Sequence, residues 1–231
     1  MEPCKTITVI VPMLNEASGI QQTLTHVLKD PQVTECVTVD GGSSDDTVAM
    51  VEDLGDSRIK TFSAPASRAT QMNAGAKMAT GDVLLFLHAD TVLPTGFGRR
   101  VLTGLSPRKR WGCFAHSFSP NNWRLRLISM MHNLRCRISG VVYGDQAMFV
   151  GRRTFEDLGC FPTQKMEDVA FSVVALEALG KPVLIRQKLK TDSRKFVQIG
   201  EFKALKQVVS ILLKYRRGNA VGNDAFFRNY R

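Results

Sequence analysis

Asp40 closes the apolar run Cys36-Val37-Thr38-Val39, and Asp90 follows Leu84-Leu85-Phe86-Leu87-His88-Ala89. A lone carboxylate after a strand is an ordinary turn residue, but two of them at the ends of neighbouring strands suggest a ligand site. Mg2+ is held by one or two carboxylates plus substrate phosphates, so Asp90 suffices for a dication when a diphosphate completes the shell. His88, two residues earlier, adds an imidazole that serves either as a second metal ligand or as a packed histidine. Arg68 opens a helical stretch where a guanidinium can fork onto phosphate beside a favourable dipole. Glu167 and Asp168 precede an apolar run, Val169, Phe171, Val173, Val174 and Leu176. Acidic residues there satisfy a helix dipole, or else one of them, Asp168, removes a proton from an attacking hydroxyl.

The elements that must position these groups follow a regular rhythm in the first part of the chain. Ile7–Val11 is a β-branched run that Pro12 is expected to end. A helix over 17–28, a strand over 36–40, a helix over 45–54, a strand over 59–63, a helix over 68–79 and a strand over 83–87 come next. Strand and helix in alternation indicate a mostly parallel sheet flanked by helices, an α/β fold. Ligands of such sheets sit beyond the carboxyl ends of the strands. Three of those ends carry Pro12 to Glu16, Asp40-Gly41-Gly42-Ser43 and His88-Ala89-Asp90. After Pro94 the rhythm gives way to basic segments and isolated strands at 113–118, 147–150 and 182–185. At 231 residues, with no repeat or low-complexity linker, one domain is expected over 1–231. Its halves divide near residue 94: the first binds a nucleotide ligand and the second receives something else.

Charge follows the same division. Residues 1–100 hold 8 basic and 12 acidic side chains, the remainder 23 and 9, and no acidic residue lies between Asp90 and Asp145. The net charge of +10 points to an anionic partner. Nucleic acid is a poor candidate, because aromatic residues are not interleaved with the basic ones. A helix over 122–138 carries Trp123, Leu127, Met130, Met131, Leu134 and Ile138 on one stripe, with Arg124, Arg126, Arg135 and Arg137 around it. The stripe either packs on the sheet or lies in an anionic headgroup layer. A second stripe, Leu205, Val208, Val209 and Leu212 before Lys214, Arg216 and Arg217, could extend that surface. Five widely spaced cysteines without a CxxC pair indicate neither a cysteine zinc site nor a disulfide framework, and fit a reducing compartment. With no signal-peptide pattern or membrane-spanning run, a cytoplasmic protein is expected, either free or peripheral on the inner membrane face.

Six stretches carry a resemblance: ITVIVPMLNE (7–16), VDGGSSDDT (39–47), RATQMNAGA (68–76), GDVLLFLHADT (81–91), GDQAMFV (144–150) and the pair Glu167-Asp168. In this order they resemble glycosyltransferase family 2, in a small subgroup with His-Ala-Asp-Thr in place of the usual Asp-x-Asp. The resemblance implies a GT-A fold, a nucleotide-diphospho-sugar donor, Mg2+ or Mn2+, and inversion at the anomeric carbon. It places Pro12, Asn15, Glu16 and Asp40 in the nucleoside pocket and Asp90 on the metal. Gly42, His88, Ala89 and Arg68 join the donor side, with His88 also at the metal. Asp168 is the implied base, with Glu167 beside it, and Gly144, Asp145 and Gln146 face the acceptor. Arg194 stands in a segment lacking the Trp of processive members, which implies transfer of one sugar and a hold on diphosphate. A lipid-linked acceptor would suit the basic half. Gly41 and His88 stand where the family often has aspartates, which keeps a catalytically silent nucleotide-sugar binder as the alternative.

Overall fold

The computed structural model of the protein describes residues 6–163 and 166–193. Within them one eight-stranded sheet runs in the order β3-β2-β1-β4-β7-β6-β8-β5. The strands are β1 (Ile7–Met13), β2 (Val33–Asp40), β3 (Ile59–Ser63), β4 (Val83–Phe86), β5 (Thr91–Val92), β6 (Trp111–Ser119), β7 (Phe149–Gly151) and β8 (Val183–Asp192). The helices are α1 (Ile20–Leu28), α2 (Thr47–Glu52), α3 (Arg68–Met78), α4 (Phe97–Gly104), α5 (Trp123–Ser139), α6 (Arg152–Asp157) and α7 (Glu167–Leu179), with a 3-10 turn at Gly144–Gln146.

β1 pairs in parallel with β2 and β4, and β2 with β3, as the alternation predicts. The mostly parallel sheet turns mixed where β7 inserts antiparallel between β4 and β6. β6 and β8 are again parallel, and short β5 closes the edge antiparallel to β8. Both faces are covered. Ile20, Leu24 and Val27 of α1 and Phe97 and Val101 of α4 pack with Val9, Val11 and Leu85 on one face. Ala69, Met72 and Ala76 of α3, Phe155 of α6 and Phe171 and Ala175 of α7 pack with Ile10, Leu84 and Phe86 on the other. Strands covered on both sides must be apolar throughout, which is why β1 and β4 read as unbroken hydrophobic runs.

Two local expectations are corrected. Pro12 does not end β1, which continues to Met13. β1 meets β4 only as far as Ile10, opposite Phe86, so at Pro12 the ladder with β4 is already over. A proline is tolerated where one side of a strand has no neighbour. β8 is also longer than the apolar segment 182–185, because its middle residues Arg186, Gln187 and Lys188 are exposed and carry no hydrophobic signal.

The small residues of α3 act at close range. A Cβ on Gly75 would lie 2.6 Å from Ile10 Cγ2 and 3.1 Å from Val39 Cγ2, so the helix rests directly on β1 and β2. From the same helix, buried Gln71 donates to the carbonyls of Met13 (2.9 Å) and Val39 (2.8 Å), near the carboxyl ends of those strands. Gly75→Ala should therefore destabilise the fold by about 1–3 kcal/mol through overpacking, read as a lower urea midpoint with an unchanged m-value; an unaltered midpoint would show that the helix–sheet gap has slack.

Candidate functional site

Three loops leave the carboxyl ends of β1, β2 and β4, and hydrogen bonds tie the first two together. Asn15 takes a left-handed backbone conformation (φ 55°), which asparagine tolerates better than most residues. Its Oδ1 accepts from Ser44 N (2.8 Å), while its own N–H donates to Ser43 Oγ (3.0 Å). Glu16 N donates to Thr47 Oγ1 (2.8 Å), and Ala17 N to Asp45 Oδ2 (3.2 Å). Asp45 and Thr47, read from sequence as the start of a helix, thus join one loop to the next. Pro12 and Glu16 are half-buried and Asn15 is exposed, so this double loop presents a surface.

Asp40 is buried and its carboxylate is committed to its own turn. It accepts from Gly42 N (2.9 Å), Ser43 N (3.1 Å) and Ser43 Oγ (2.6 Å). Gly42 holds φ +93°, a conformation that favours glycine. The structure thus gives Asp40 the turn-shaping role that a carboxylate after a strand ordinarily has.

His88-Ala89-Asp90 is held from three sides. Thr23 Oγ1 of α1 donates to Ala89 O (2.6 Å), Thr91 N to His88 O (3.1 Å), and Asp192 N at the end of β8 to Asp90 O (3.1 Å). The Asp90 side chain is half-buried and accepts from Thr91 Oγ1 (3.2 Å).

Gly144 brings this segment to the start of α7. A Cβ on Gly144 would stand 2.8 Å from His88 Nε2 and 3.4 Å from Asp168 Oδ2, so only a bare backbone fits between imidazole and carboxylate. Gly144 N donates to Asp168 Oδ2, and Val169 N donates to Asp168 Oδ1. Glu167 is buried, and its Oε1 lies 3.9 Å from Nε of half-exposed Arg68 at the first turn of α3. Asn73 of α3 exchanges two hydrogen bonds with the backbone of Phe161, in the segment between α6 and α7 (2.7 and 3.0 Å). Beneath lie the packed rings of Phe86, Phe155, Phe161 and Phe171, with centroids 4.7–5.2 Å apart. Gln71 and Asn73 escaped sequence reasoning as positioning residues; the signal at Gln71 was a polar side chain on the sheet-facing side of a helix.

Burial dominates the titration of both acids. It raises the Asp168 carboxyl above the ordinary aspartate value, against the Gly144 N–H and the Arg68 charge. Glu167 is pushed up to about 7 by burial and then by the Asp168 charge, with Arg68 opposing.

The acceptor-side expectation needs revision at Gln146. It is fully buried, accepts from Arg135 Nη2 (2.9 Å) and donates to Phe114 O (3.3 Å), leaving no exposed atom for an acceptor. Asp145 turns toward His116 and His132, at 3.8 and 3.6 Å. Arg135, expected on the basic surface, turns inward, with its guanidinium 3.1 Å from the Tyr143 ring centroid. Arg194 and the stripe at 205–217 lie outside the described residues. The stripe on α5 is exposed, Trp123 and Ile138 each at 67%, while Leu125, Ile128, Ser129, His132 and Cys136 face inward. Arg124, Arg126 and Arg137 are exposed beside it. Among the described residues, no helix is long and apolar enough to cross a membrane.

The end of β4 supplies a carboxylate and an imidazole two residues apart, donor types that divalent cations take. Asp90, half-buried at the strand end, offers hard carboxylate oxygen, the ligand that Mg2+ and Mn2+ prefer.

Comparison with known proteins agrees with this architecture. The profile of glycosyl transferase family 2 matches residues 8–155. Two Mycobacterium tuberculosis proteins, the uncharacterized glycosyltransferases Rv1514c and MT1564, are each 34% identical over 92 residues, 38% of this chain and 35% of theirs. The chain therefore spans about a third of the length of the curated relatives it matches. Among solved structures, Staphylococcus aureus TarS 1–349 superposes with a TM-score of 0.67 at 18% identity, over 87% of this chain and 65% of that one. Glucosyl-3-phosphoglycerate synthase from M. tuberculosis, in complex with Mg2+ and uridine diphosphate, gives 0.62 at 19%, over 96% and 81%. The Pyrobaculum calidifontis mannosyltransferase PcManGT, in complex with GDP-Man and Mn2+, gives 0.60 at 21%, over 80% and 56%. These likenesses establish the GT-A fold.

Arg68 is a positive charge felt by both acids, so Arg68→Met should raise both carboxyls further. In carboxyl-carbon NMR the Glu167 midpoint should move above about 7; a midpoint that stays put or falls would deny the contact any electrostatic weight.

Proposed function

We propose, on the premise that this chain belongs to glycosyltransferase family 2, that it transfers one sugar from a nucleoside-diphospho-sugar to an acceptor hydroxyl in a single inverting displacement, with Asp168 as the base. The observation that carries this reading is the meeting of His88 and Asp168 across the bare backbone of Gly144. It joins the strand end that would hold the donor's diphosphate to a carboxylate on another element. Enzymes that displace a leaving group in line need both in one place, the base on the incoming hydroxyl and charge stabilisation on the departing diphosphate.

Pro12, Asn15, Glu16 and Asp40 would form the nucleoside wall, the last by shaping the loop. Asp90, with His88 beside it, would hold Mg2+ or Mn2+, which when bound neutralises charge on the leaving diphosphate. Arg68 adds a fixed positive charge at the N-terminus of α3, where an anion is favoured. Gly144 N–H and Val169 N–H hold the Asp168 carboxylate in place and leave it lone pairs for the acceptor proton. A raised carboxyl is a stronger base than an ordinary aspartate once ionised, so transfer should fail as pH falls through its titration.

The acceptor side of the proposal is a lipid-linked hydroxyl at an anionic membrane surface. It rests on the exposed apolar stripe of α5 and the exposed Arg124, Arg126 and Arg137 beside it, the pattern of a helix lying in a headgroup layer. The rival reading, a silent nucleotide-sugar binder, predicts donor binding without turnover.

Asp168→Asn should keep donor affinity while turnover falls by about 10²–10⁴-fold; near-normal turnover would remove Asp168 from the mechanism, and donor binding without turnover in the unaltered protein would favour the binder. In flotation assays the protein should rise with vesicles containing anionic lipid and lose that association in Trp123→Glu/Ile138→Glu or at high salt. Equal recovery with neutral vesicles, or none with either, would leave the stripe to another occupant.

A further inference from the structure

Beside the turn that touches Asp168 lies a second cluster the reaction does not use. His116 comes from β6, His132 from α5 and Asp145 from the 3-10 turn, and one ligand atom of each lies within 4.8 Å of the others. All three are largely enclosed. His116 is 0% exposed, His132 7%, and the Asp145 side chain 20%. Among the described residues, both ring nitrogens of His116, Nδ1 of His132 and Oδ1 of Asp145 have no hydrogen-bond partner. Buried polar atoms are nearly always paired, so four unpaired ones on three neighbouring residues need an explanation.

Distances supply it. Asp145 Oδ2 stands 3.8 Å from His116 Nε2 and 3.6 Å from His132 Nδ1, too far for hydrogen bonds. Ligand atoms that each sit about 2.0–2.2 Å from a tetrahedral zinc ion are roughly 3.3–3.6 Å apart. The backbone is set for that spacing. Asn133, next to His132, accepts from His116 N (2.8 Å) and donates to His116 O (3.0 Å), locking α5 to β6 at this level. Phe118 packs edge-on against His116 (4.5 Å) and Tyr143 against His132 (5.5 Å), a dry wall of the kind that surrounds metal centres. Arg135 is turned onto Tyr143 and Gln146, away from a hydrogen bond with Asp145 Oδ1. Neutral imidazoles and an ionised carboxylate are the forms that bind metal.

We propose that His116, His132 and Asp145 form a binding site for a zinc-class divalent ion, with two nitrogen ligands, one oxygen ligand and a fourth position for water. Its ligands are distinct from those assigned to the donor's cation. Imidazole with one carboxylate suits zinc and its first-row neighbours better than Mg2+. By fixing Asp145 the ion fixes the turn whose preceding residue, Gly144, holds Asp168 through its N–H.

The test is metal binding to the full chain after chelator stripping, without donor or acceptor. Zinc titration with elemental analysis should give one equivalent retained through desalting, and Co2+ should give the intense visible absorption of four-coordinate cobalt. Asp90→Asn should keep the ion and the spectrum. His132→Asn and His116→Gln should weaken binding at least about 100-fold, beyond what loss of a group behind the ligands costs. Zinc should also raise the melting temperature of the unaltered chain and of Asp90→Asn, but not of His132→Asn. If His116→Gln fails to fold, His132→Asn decides alone. No retained ion in the unaltered chain, which would mean that water fills the cluster, or loss of the ion in Asp90→Asn with retention in His132→Asn, would overturn the proposal.

Discussion

The site depends on how closely the backbone at Gly144 approaches its neighbours. Imidazole of one element and carboxylate of another meet across it with room for a hydrogen atom and nothing larger. Its N–H is also one of the two donors that hold the Asp168 carboxylate. A side chain there would part the two groups that the proposed transfer needs together, and would lengthen the bond that orients the proposed base. The aromatic cluster beneath, the Asn73 bridge to Phe161 and the Gln71 clamp on β1 and β2 all serve to bring α3, α7 and the end of β4 to that point.

Burial makes the same place electrostatically tense. Two adjacent acids, one buried and one held by backbone N–H groups, share one half-exposed arginine. Opposite charge lowers a carboxyl and burial raises it, and here burial prevails for both. A glutamate raised to about 7 is neutral in acid at little cost, but costs stability as pH rises from its unfolded value toward that point. Such strain is expected where function, not stability, has chosen the residue.

The second half of the chain differs in what it does with polar groups. Histidine, aspartate, glutamine and arginine are drawn inside around the turn at residues 144–146, whereas the apolar stripe of α5 faces out. The inversion has a physical source. Leu125, Ile128 and Cys136 already supply the helix with a face for β6, and the remaining apolar residues lie on the opposite side. An apolar face left in solvent with arginines along it is suited to another surface.

The alternation of apolar runs and helical stretches was enough to determine the α/β class and the parallel arrangement of the first strands, because residues covered on both sides of a sheet must be apolar. Asp90 after an apolar run and Asp168 before one drew notice because a polar group there stands out, and Arg68 because it opens a helical stretch. The sequence did not show that β1 runs through Pro12, that Asp40 is consumed by its own turn, that Gln146 is sealed inside, or which face of α5 is covered, since each depends on what a distant segment places alongside. His116, His132 and Asp145 make the point most clearly. Their spacing matches no short pattern, since strand, helix and turn each contribute one residue and only the packing of α5 on β6 brings them within reach of one ion. Local chemistry is written along the chain, but distances between residues far apart in sequence are set by how the layers pack.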